Sequence, residues 1–377
     1  MEKIKAVSNQ TPIKLITMEY PPIRGGAGVY CEELAHATYQ SGLNIEVLVP
    51  KGSYSDSSVT LTQLPFKGSQ GWGCSWKIIK FLKTQNLKKV TLHIADPGAL
   101  RAMIRFGWTL PKSSNLIITI HGSEIPKFSS NPAERILFRK LLRKADKIHV
   151  LSKYNEEKLL KFCPDIKNCV KLIPGAPARD ILPKPNPMDT RDYAKKNLVL
   201  LCVGRIHPRK GQYELLHAID KLPSALKERL TCLFVGPLKH KNYAKKFSVL
   251  SKRIGCEVQY LGDLSNKDLK ETYQNADIFA LTSIPTPNSI EGFGFVYLEA
   301  SAHGLPILAH NIGGVNDAVL DGKTGLLCAP DKPDELLENL QELIEQHETR
   351  KALGVTGFEW AAKHSWIDIT QKLYKLS

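Results

Sequence analysis

Short apolar runs recur along this chain at intervals that suit a parallel sheet. Ile13–Met18, Asn44–Val49, Val90–Ala95, Leu116–Ile120, Lys147–Leu151 and Val170–Ile173 are near-continuous hydrophobic stretches. Runs of that kind predict strands buried on both faces. Segments with helical periodicity lie between them, at Val29–Tyr39, Ser75–Thr84, Ala99–Phe106 and Pro132–Leu142. The alternation then pauses. Pro174-Gly175-Ala176-Pro177 and Pro183, Pro185 and Pro187 mark about residues 174–195 as a break. After it the pattern restarts with strands at Leu198–Val203, Leu230–Val235, Glu257–Leu261, Ile278–Leu281 and Ile307–Ala309. Helices are predicted at Gln212–Asp220 and Pro333–Gln346, and Trp366–Leu376 reads as a last amphipathic helix.

Alternating strands and helices in two tandem sets predict two α/β domains, each a doubly wound parallel sheet. The expected division is 1–180 for the first domain, 181–195 for a Pro-rich linker and 196–362 for the second. Residues 363–377 form a terminal helix expected to return to the first domain. A length of 377 residues suits that division.

No apolar run approaches the roughly 18–20 residues that span a bilayer. Met1–Gln10 is polar, without the pattern of a secretory leader. The eight cysteines are scattered without a Cys-x-x-Cys pair, which argues against a zinc knuckle or disulfide framework and fits a reducing, cytoplasmic setting.

Charge adds an asymmetry. Residues 1–185 hold 28 Lys and Arg against 14 Asp and Glu, whereas 186–377 hold 24 against 23. A basic first half suits an anionic partner. Ser75–Lys89 and Pro132–Lys147 are basic and partly amphipathic, so an anionic membrane surface or a lipid-linked acceptor is one expectation. Nucleic acid is not expected, because no recognition motif or interleaved aromatic pattern accompanies the charge.

The candidate chemistry gathers in Ser289–Ala300. The polar, Pro-interrupted loop Ile284–Asn288 gives way to an apolar helix running to about His303, with Glu291 at the loop's end, Gly292, Phe293, Gly294, Phe295 and Val296 just after it, and Glu299 inside the helix. A helix N-terminus offers N–H groups to phosphates. A carboxylate accepts hydrogen bonds from neighbouring hydroxyls. Together these describe a nucleotide sugar. Helical rise puts the two glutamates about 12 Å apart along the axis and about 80° apart around it. That is too far for a catalytic pair and suited to opposite ends of one long ligand.

Arg205 and Lys210 sit where a strand ends and a helix begins, the place where open α/β sheets bind ligands. Their charges suit a diphosphate. His121 ends another strand, before Gly122-Ser123-Glu124, and is placed to touch a sugar hydroxyl. Gly25–Gly28 lacks the third glycine of a dinucleotide fingerprint, so NAD is not expected. The chain has no Asp-x-Asp triplet, Gly-x-Ser-x-Gly or phosphate-binding Gly-x-x-x-x-Gly-Lys-Ser/Thr. The first absence, beside Arg205 and Lys210, favours charge neutralisation without a metal.

The ordered set resembles glycosyltransferase family 4. Pro22–Val29 is similar to its Gly-Gly loop, and His121-Gly122-Ser123-Glu124 to its His-Gly-x-Glu segment. Val150–Tyr154 and Ile173–Ala176 follow, then Gly204-Arg205 to Lys210-Gly211. Glu291 to Glu299 matches its E-x7-E, and Gly313-Gly314 to Gly325 its downstream run. The resemblance implies the GT-B fold, two Rossmann-like domains facing across a cleft. It implies a retaining hexosyltransferase without metal or other cofactor, moving sugar from a UDP- or GDP-sugar to a glycan, lipid-linked or small-molecule acceptor in cell envelope glycan synthesis. Peripheral attachment to the inner face of the membrane fits that role. Arg205 and Lys210 would hold the diphosphate, Glu291 the sugar hydroxyls and Glu299 the ribose diol. The backbone of Gly292–Val296 would approach the phosphates, Gly26 would support the diphosphate from the first domain, and His121 would contact the donor sugar. An epimerase or sugar phosphorylase on the same architecture is the alternative reading. Gly175-Ala176 departs from the frequent Asn-Gly, and Pro285–Asn288 before Glu291 is unusual.

Overall fold

The computed structural model describes residues 11–374 except 24, 56, 57, 68, 69, 239 and 288. The readings made on Met1–Gln10, on Arg24 and Asn288, and on the last residues of the terminal helix lie outside the described residues. The chain divides into two compact units, Met1–Gly175 with Ser365–Ser377, and Ala176–His364.

The first unit is a seven-stranded sheet. Its strands are β1 (Ile13–Ile16), β2 (Ile45–Val49), β3 (Thr60–Gln63), β4 (Thr91–Ile94), β5 (Asn115–Ile120), β6 (Lys147–Val150) and β7 (Val170–Leu172). Their order is β3-β2-β1-β4-β5-β6-β7. Each pairing is parallel. Such a sheet is covered on both faces. Helices Trp72–Lys83 and Pro97–Phe106 lay Ile78, Ile79, Leu82, Leu100 and Ile104 into the core with Leu92, Ile94 and Ile118.

Helix Trp366–Tyr374 belongs to this unit, although it ends the chain. It lies against helix Gly26–Gln40, with the Thr38 and Thr370 hydroxyls 3.3 Å apart. The Tyr374 hydroxyl is 2.6 Å from Nδ1 of the buried His93.

The second unit is a six-stranded sheet of β8 (Leu198–Val203), β9 (Leu230–Val235), β10 (Glu257–Gly262), β11 (Ile278–Leu281), β12 (Ile307–His310) and β13 (Gly325–Cys328). The order is β10-β9-β8-β11-β12-β13, again parallel throughout. In both units the chain reverses its lateral direction after the third strand of the written order, between β1 and β4 and between β8 and β11. Loops leaving the C-terminal ends of those strands diverge there and leave a crevice.

The segment expected to be a linker is part of the second unit. Its boundary falls at Gly175/Ala176 rather than at 180/181. Tyr193 Oη donates to the Gly304 carbonyl at 2.9 Å, and the Arg191 guanidinium donates to the Ala276 carbonyl at 2.5 Å. The prolines break regular structure, but the side chains between them dock on the domain.

Candidate active site

The crevice of the second unit is built from the loops after β8 and β11. Gly211 holds these loops in contact. Its φ is +67°, and a Cβ there would fall 1.7 Å from the Thr282 carbonyl oxygen. The Thr282 hydroxyl donates to the Gly211 carbonyl at 2.7 Å, and the Ile284 N–H donates to the Arg209 carbonyl at 2.9 Å. Between them, Pro208–Lys210 forms one tight helical turn, begun by His207 Nδ1 accepting from the Arg209 N–H at 3.1 Å. That turn aims Arg209 and Lys210 across to Glu291.

Three donors converge on one oxygen. Lys210 Nζ lies 2.6 Å from Glu291 Oε2, an Arg209 guanidinium nitrogen 3.1 Å and the Ser283 hydroxyl 3.2 Å. Glu291 is buried, at 8% exposure. Burial alone would raise its pKa, but Lys210 and Arg209 outweigh it and hold the carboxyl at about 2. Lys210 is itself pushed down, first by burial and then by the Arg209 and Arg205 charges, which Glu291 offsets only in part. The causes differ, burial for Lys210 and its two cationic partners for Glu291, but within the cluster two cations face one carboxylate. The cluster therefore has positive charge left to offer an anion.

Arg205, paired with Lys210 in the sequence reading, stands apart from this cluster. Its side chain is exposed, and its backbone carbonyl accepts from Gln212 at 2.9 Å. Arg209 takes the place beside Lys210. The sequence signal for it was present, since Arg209 adjoins Lys210, but only the tight turn decides which arginine reaches Glu291.

The glutamates do not share a helix. Helix Phe295–Ala302 begins four residues after Glu291, behind Gly294 at φ +91°. The 12 Å axial spacing expected from helical rise therefore does not apply. Glu291 is instead fixed through its backbone. Its carbonyl accepts from the Gly314 N–H at 2.9 Å, and Gly313, at φ +54°, passes so close that a Cβ would sit 2.2 Å from the same oxygen. The downstream Gly-Gly pair thus positions Glu291. Phe293 and Phe295 are buried and meet edge to face at 5.6 Å, which seats the loop containing Gly292, Gly294 and Val296. Gly294 has no side chain to cap the helix N-terminus.

Glu299 lies one turn into that helix and is 6% exposed. Burial pushes its carboxyl up to about 7, against the hydrogen bond that Tyr273 Oη donates to Oε2 at 3.0 Å. The Tyr273 ring is itself stacked on His303, at 5.3 Å and 12°. Tyr273 was not singled out from sequence, because it lies 26 residues upstream in another element.

In the first unit, Gly26 opens helix Gly26–Gln40 and His121 follows β5. Tyr30, one turn along that helix, meets the His121 ring edge-on at 5.0 Å. His121 Nε2 lies 2.8 Å from the Ala95 carbonyl, which places a proton on Nε2 and leaves Nδ1 as the second polar atom. Buried Glu124 holds the turn, its oxygens accepting from the His121 N–H at 3.0 Å and the Gly122 N–H at 2.7 Å. The last residue of the His-Gly-x-Glu segment is therefore a positioning group.

Comparisons with known proteins bear on this arrangement. The model of glycosyltransferase family 4 matches residues 24–176, and that of glycosyl transferases group 1 matches residues 188–360. The chain is a family 4, group 1 glycosyltransferase. Glycosyltransferases recur among its full-length relatives. An uncharacterized glycosyltransferase of Methanocaldococcus jannaschii is 27% identical over 356 residues, 92% of each chain. A GDP-mannose-dependent alpha-(1-6)-phosphatidylinositol monomannoside mannosyltransferase of Mycolicibacterium smegmatis is 25% identical, covering 92% of this chain and 93% of the relative. Among solved structures, Anabaena HepE in complex with UDP and glucose superposes with a TM-score of 0.75 at 20% identity, covering 96% of this chain and 98% of that one. The fold of this glycosyltransferase is GT-B.

Proposed function

We propose that this glycosyltransferase moves a hexose from a nucleotide-diphosphate sugar to a glycan or lipid-linked acceptor, with retention at the anomeric carbon and without a metal. The observation that carries the reading is the buried Glu291 carboxylate outnumbered by Lys210 and Arg209 at the crevice of the second sheet. Surplus positive charge there suits a diphosphate, and fixed cations stabilise charge that grows on it as it leaves.

The roles follow the chemistry of the groups. Lys210, with Arg205 from the rim, holds the diphosphate. Glu291, ionised at neutral pH, accepts from donor-sugar hydroxyls through the oxygen not taken by its three partners. Glu299 accepts from the ribose hydroxyls. The Gly292–Val296 backbone lies along the phosphates. In the transfer, the anomeric carbon–phosphate oxygen bond breaks as the acceptor oxygen bonds the same face of that carbon. The acceptor's proton passes to the departing phosphate oxygen. The M. smegmatis relative named for GDP-mannose and HepE bound to UDP support a nucleotide donor without choosing the base.

The test is product analysis with labelled UDP- and GDP-sugars. A glycoside that keeps the donor's anomeric configuration, formed in the presence of a chelator, is the expected result. Free epimer, or sugar phosphate formed without nucleotide, would overturn it in favour of an epimerase or phosphorylase.

A further inference from the structure

The apolar faces of the two basic helices singled out above are not free. Ile78, Ile79 and Leu82 of one, and Phe138, Leu141 and Leu142 of the other, are buried in the first unit's core. Among the first unit's described residues, the two most exposed large apolar side chains are tryptophans. Trp108 and Trp72 are 68% and 62% exposed, and Trp76 is 47% exposed. They form one patch. Phe106 lies between the two helical tryptophans, edge to face with Trp72 at 5.8 Å and with Trp76 at 5.4 Å, and Trp108 follows two residues later. Trp108 donates its indole N–H to the Arg105 carbonyl at 3.2 Å, so its ring is held.

The charges that helix Trp72–Lys83 exposes beside the patch are all lysines, while Arg105, over the Trp72 ring at 4.1 Å, is paired with the buried Glu134 at 2.6 Å. Trp72, Trp76, Lys80 and Lys83 recur at helical spacing and fall within an arc of about 80°. Lys83 Nζ sits 5.6 Å from the Trp76 ring centre. Lys77, Lys80 and Lys83 are exposed. Residues 57–123 contain nine Lys and Arg and one acidic residue, Asp96, which is buried. Exposed apolar patches mark interaction sites. The core of a protein interface is depleted of charge, whereas indoles beside unpaired lysines match the headgroup layer of an anionic bilayer.

We infer that the Trp72–Trp76–Trp108 face of the first unit docks on an anionic lipid bilayer, its indoles entering the headgroup layer and Lys77, Lys80 and Lys83 meeting lipid phosphates. The surface is independent of the donor assignment, so the two stand or fall separately.

The experiment is sedimentation of the full chain with phosphatidylglycerol vesicles and with phosphatidylcholine vesicles at low salt. Wild type is expected to sediment with the first and far less with the second, with a blue-shifted tryptophan emission. Changing Trp72, Trp76 and Trp108 together to serine should weaken partitioning by at least about a hundredfold, since each buried apolar side chain is worth roughly a tenfold factor. Trp108→Ser alone, whose ring is the most exposed, should weaken it by about tenfold with an unchanged melting temperature. Lys77→Gln with Lys80→Gln and Lys83→Gln should reduce binding and its salt dependence. Equal binding to both lipids, binding that survives the tryptophan changes, or loss of self-association rather than lipid binding in those variants would overturn the inference.

Discussion

Lys210 Nζ and Glu291 Oε2 lie 2.6 Å apart, and the two residues come from loops that leave different strands on either side of the sheet's reversal. Arg209 shares the same carboxylate oxygen. Charge balance at the cluster is therefore uneven, and the two partners differ in what their loss leaves behind. Glu291→Gln leaves two cations facing each other. Lys210→Ala leaves an ion pair. Glu291→Gln is expected to destabilise more, by about 1–3 kcal/mol over Lys210→Ala. Urea unfolding at pH 7 checks the order.

The same carboxyl sets an acid limb to stability. Its folded pKa, about 2, lies below the roughly 4.3 of an unfolded glutamate. A depressed carboxyl contributes stability that is present above the unfolded value and lost as pH falls towards the folded one. Wild type should thus lose stability between about pH 4 and pH 2 more steeply than Glu291→Gln. Parallel curves for the two proteins in that window would contradict the assignment.

Glu299 has the opposite sign. Its carboxyl, pushed up to about 7, contributes stability below about pH 4.3 that is lost as pH rises towards 7. Glu299→Gln should therefore be more stable than wild type at pH 8, by on the order of 1–3 kcal/mol. It should also bind nucleotide at least tenfold more weakly, because an amide offers only one acceptor to a diol. In wild type, nucleotide affinity should fall as pH drops below about 7. Tyr273→Phe removes the hydrogen bond that favours the ionised form, so it should move that midpoint upward. Calorimetric titration across pH reads both effects.

Gly313→Ala tests the backbone support of Glu291. The left-handed backbone at φ +54° alone makes alanine unfavourable by roughly 1–2 kcal/mol. The contact with the Glu291 carbonyl must also open. The expected result is a lower melting temperature and loss of most transferase activity, although residue 313 carries no functional group. Wild-type activity in a folded Gly313→Ala protein would show that Glu291 is positioned by other means.

The architecture was legible because parallel strands buried on both faces leave apolar runs, and Leu198–Val203 and Ile278–Leu281 were bounded to the residue. Two strands were not: β3 is an edge of exposed and half-buried residues, two Thr, a Leu and a Gln, and β13 was not singled out. Residue types and spacing singled out Lys210, Glu291 and Glu299, and the fold brings Lys210 to Glu291. They did not show that Arg209 rather than Arg205 reaches Glu291, because that depends on a single tight turn. Nor did they show that Gly294 delays the helix past Glu291, since the run from Phe293 to Leu298 is apolar whether or not it is helical. Tyr273 and Gly313 come from distant segments, and only the folded chain brings them to the glutamates.

The most direct measurement is a melting screen of UDP-, GDP- and ADP-sugars against wild type, Lys210→Ala and Glu299→Gln in parallel. A ligand at a hundred times its dissociation constant stabilises the fold by about 2.7 kcal/mol, a shift of several degrees. One nucleotide class should raise the wild-type transition by that much, and both variants should lose the shift while remaining folded. No shift with any nucleotide sugar, or equal shifts in all three proteins, would contradict the site.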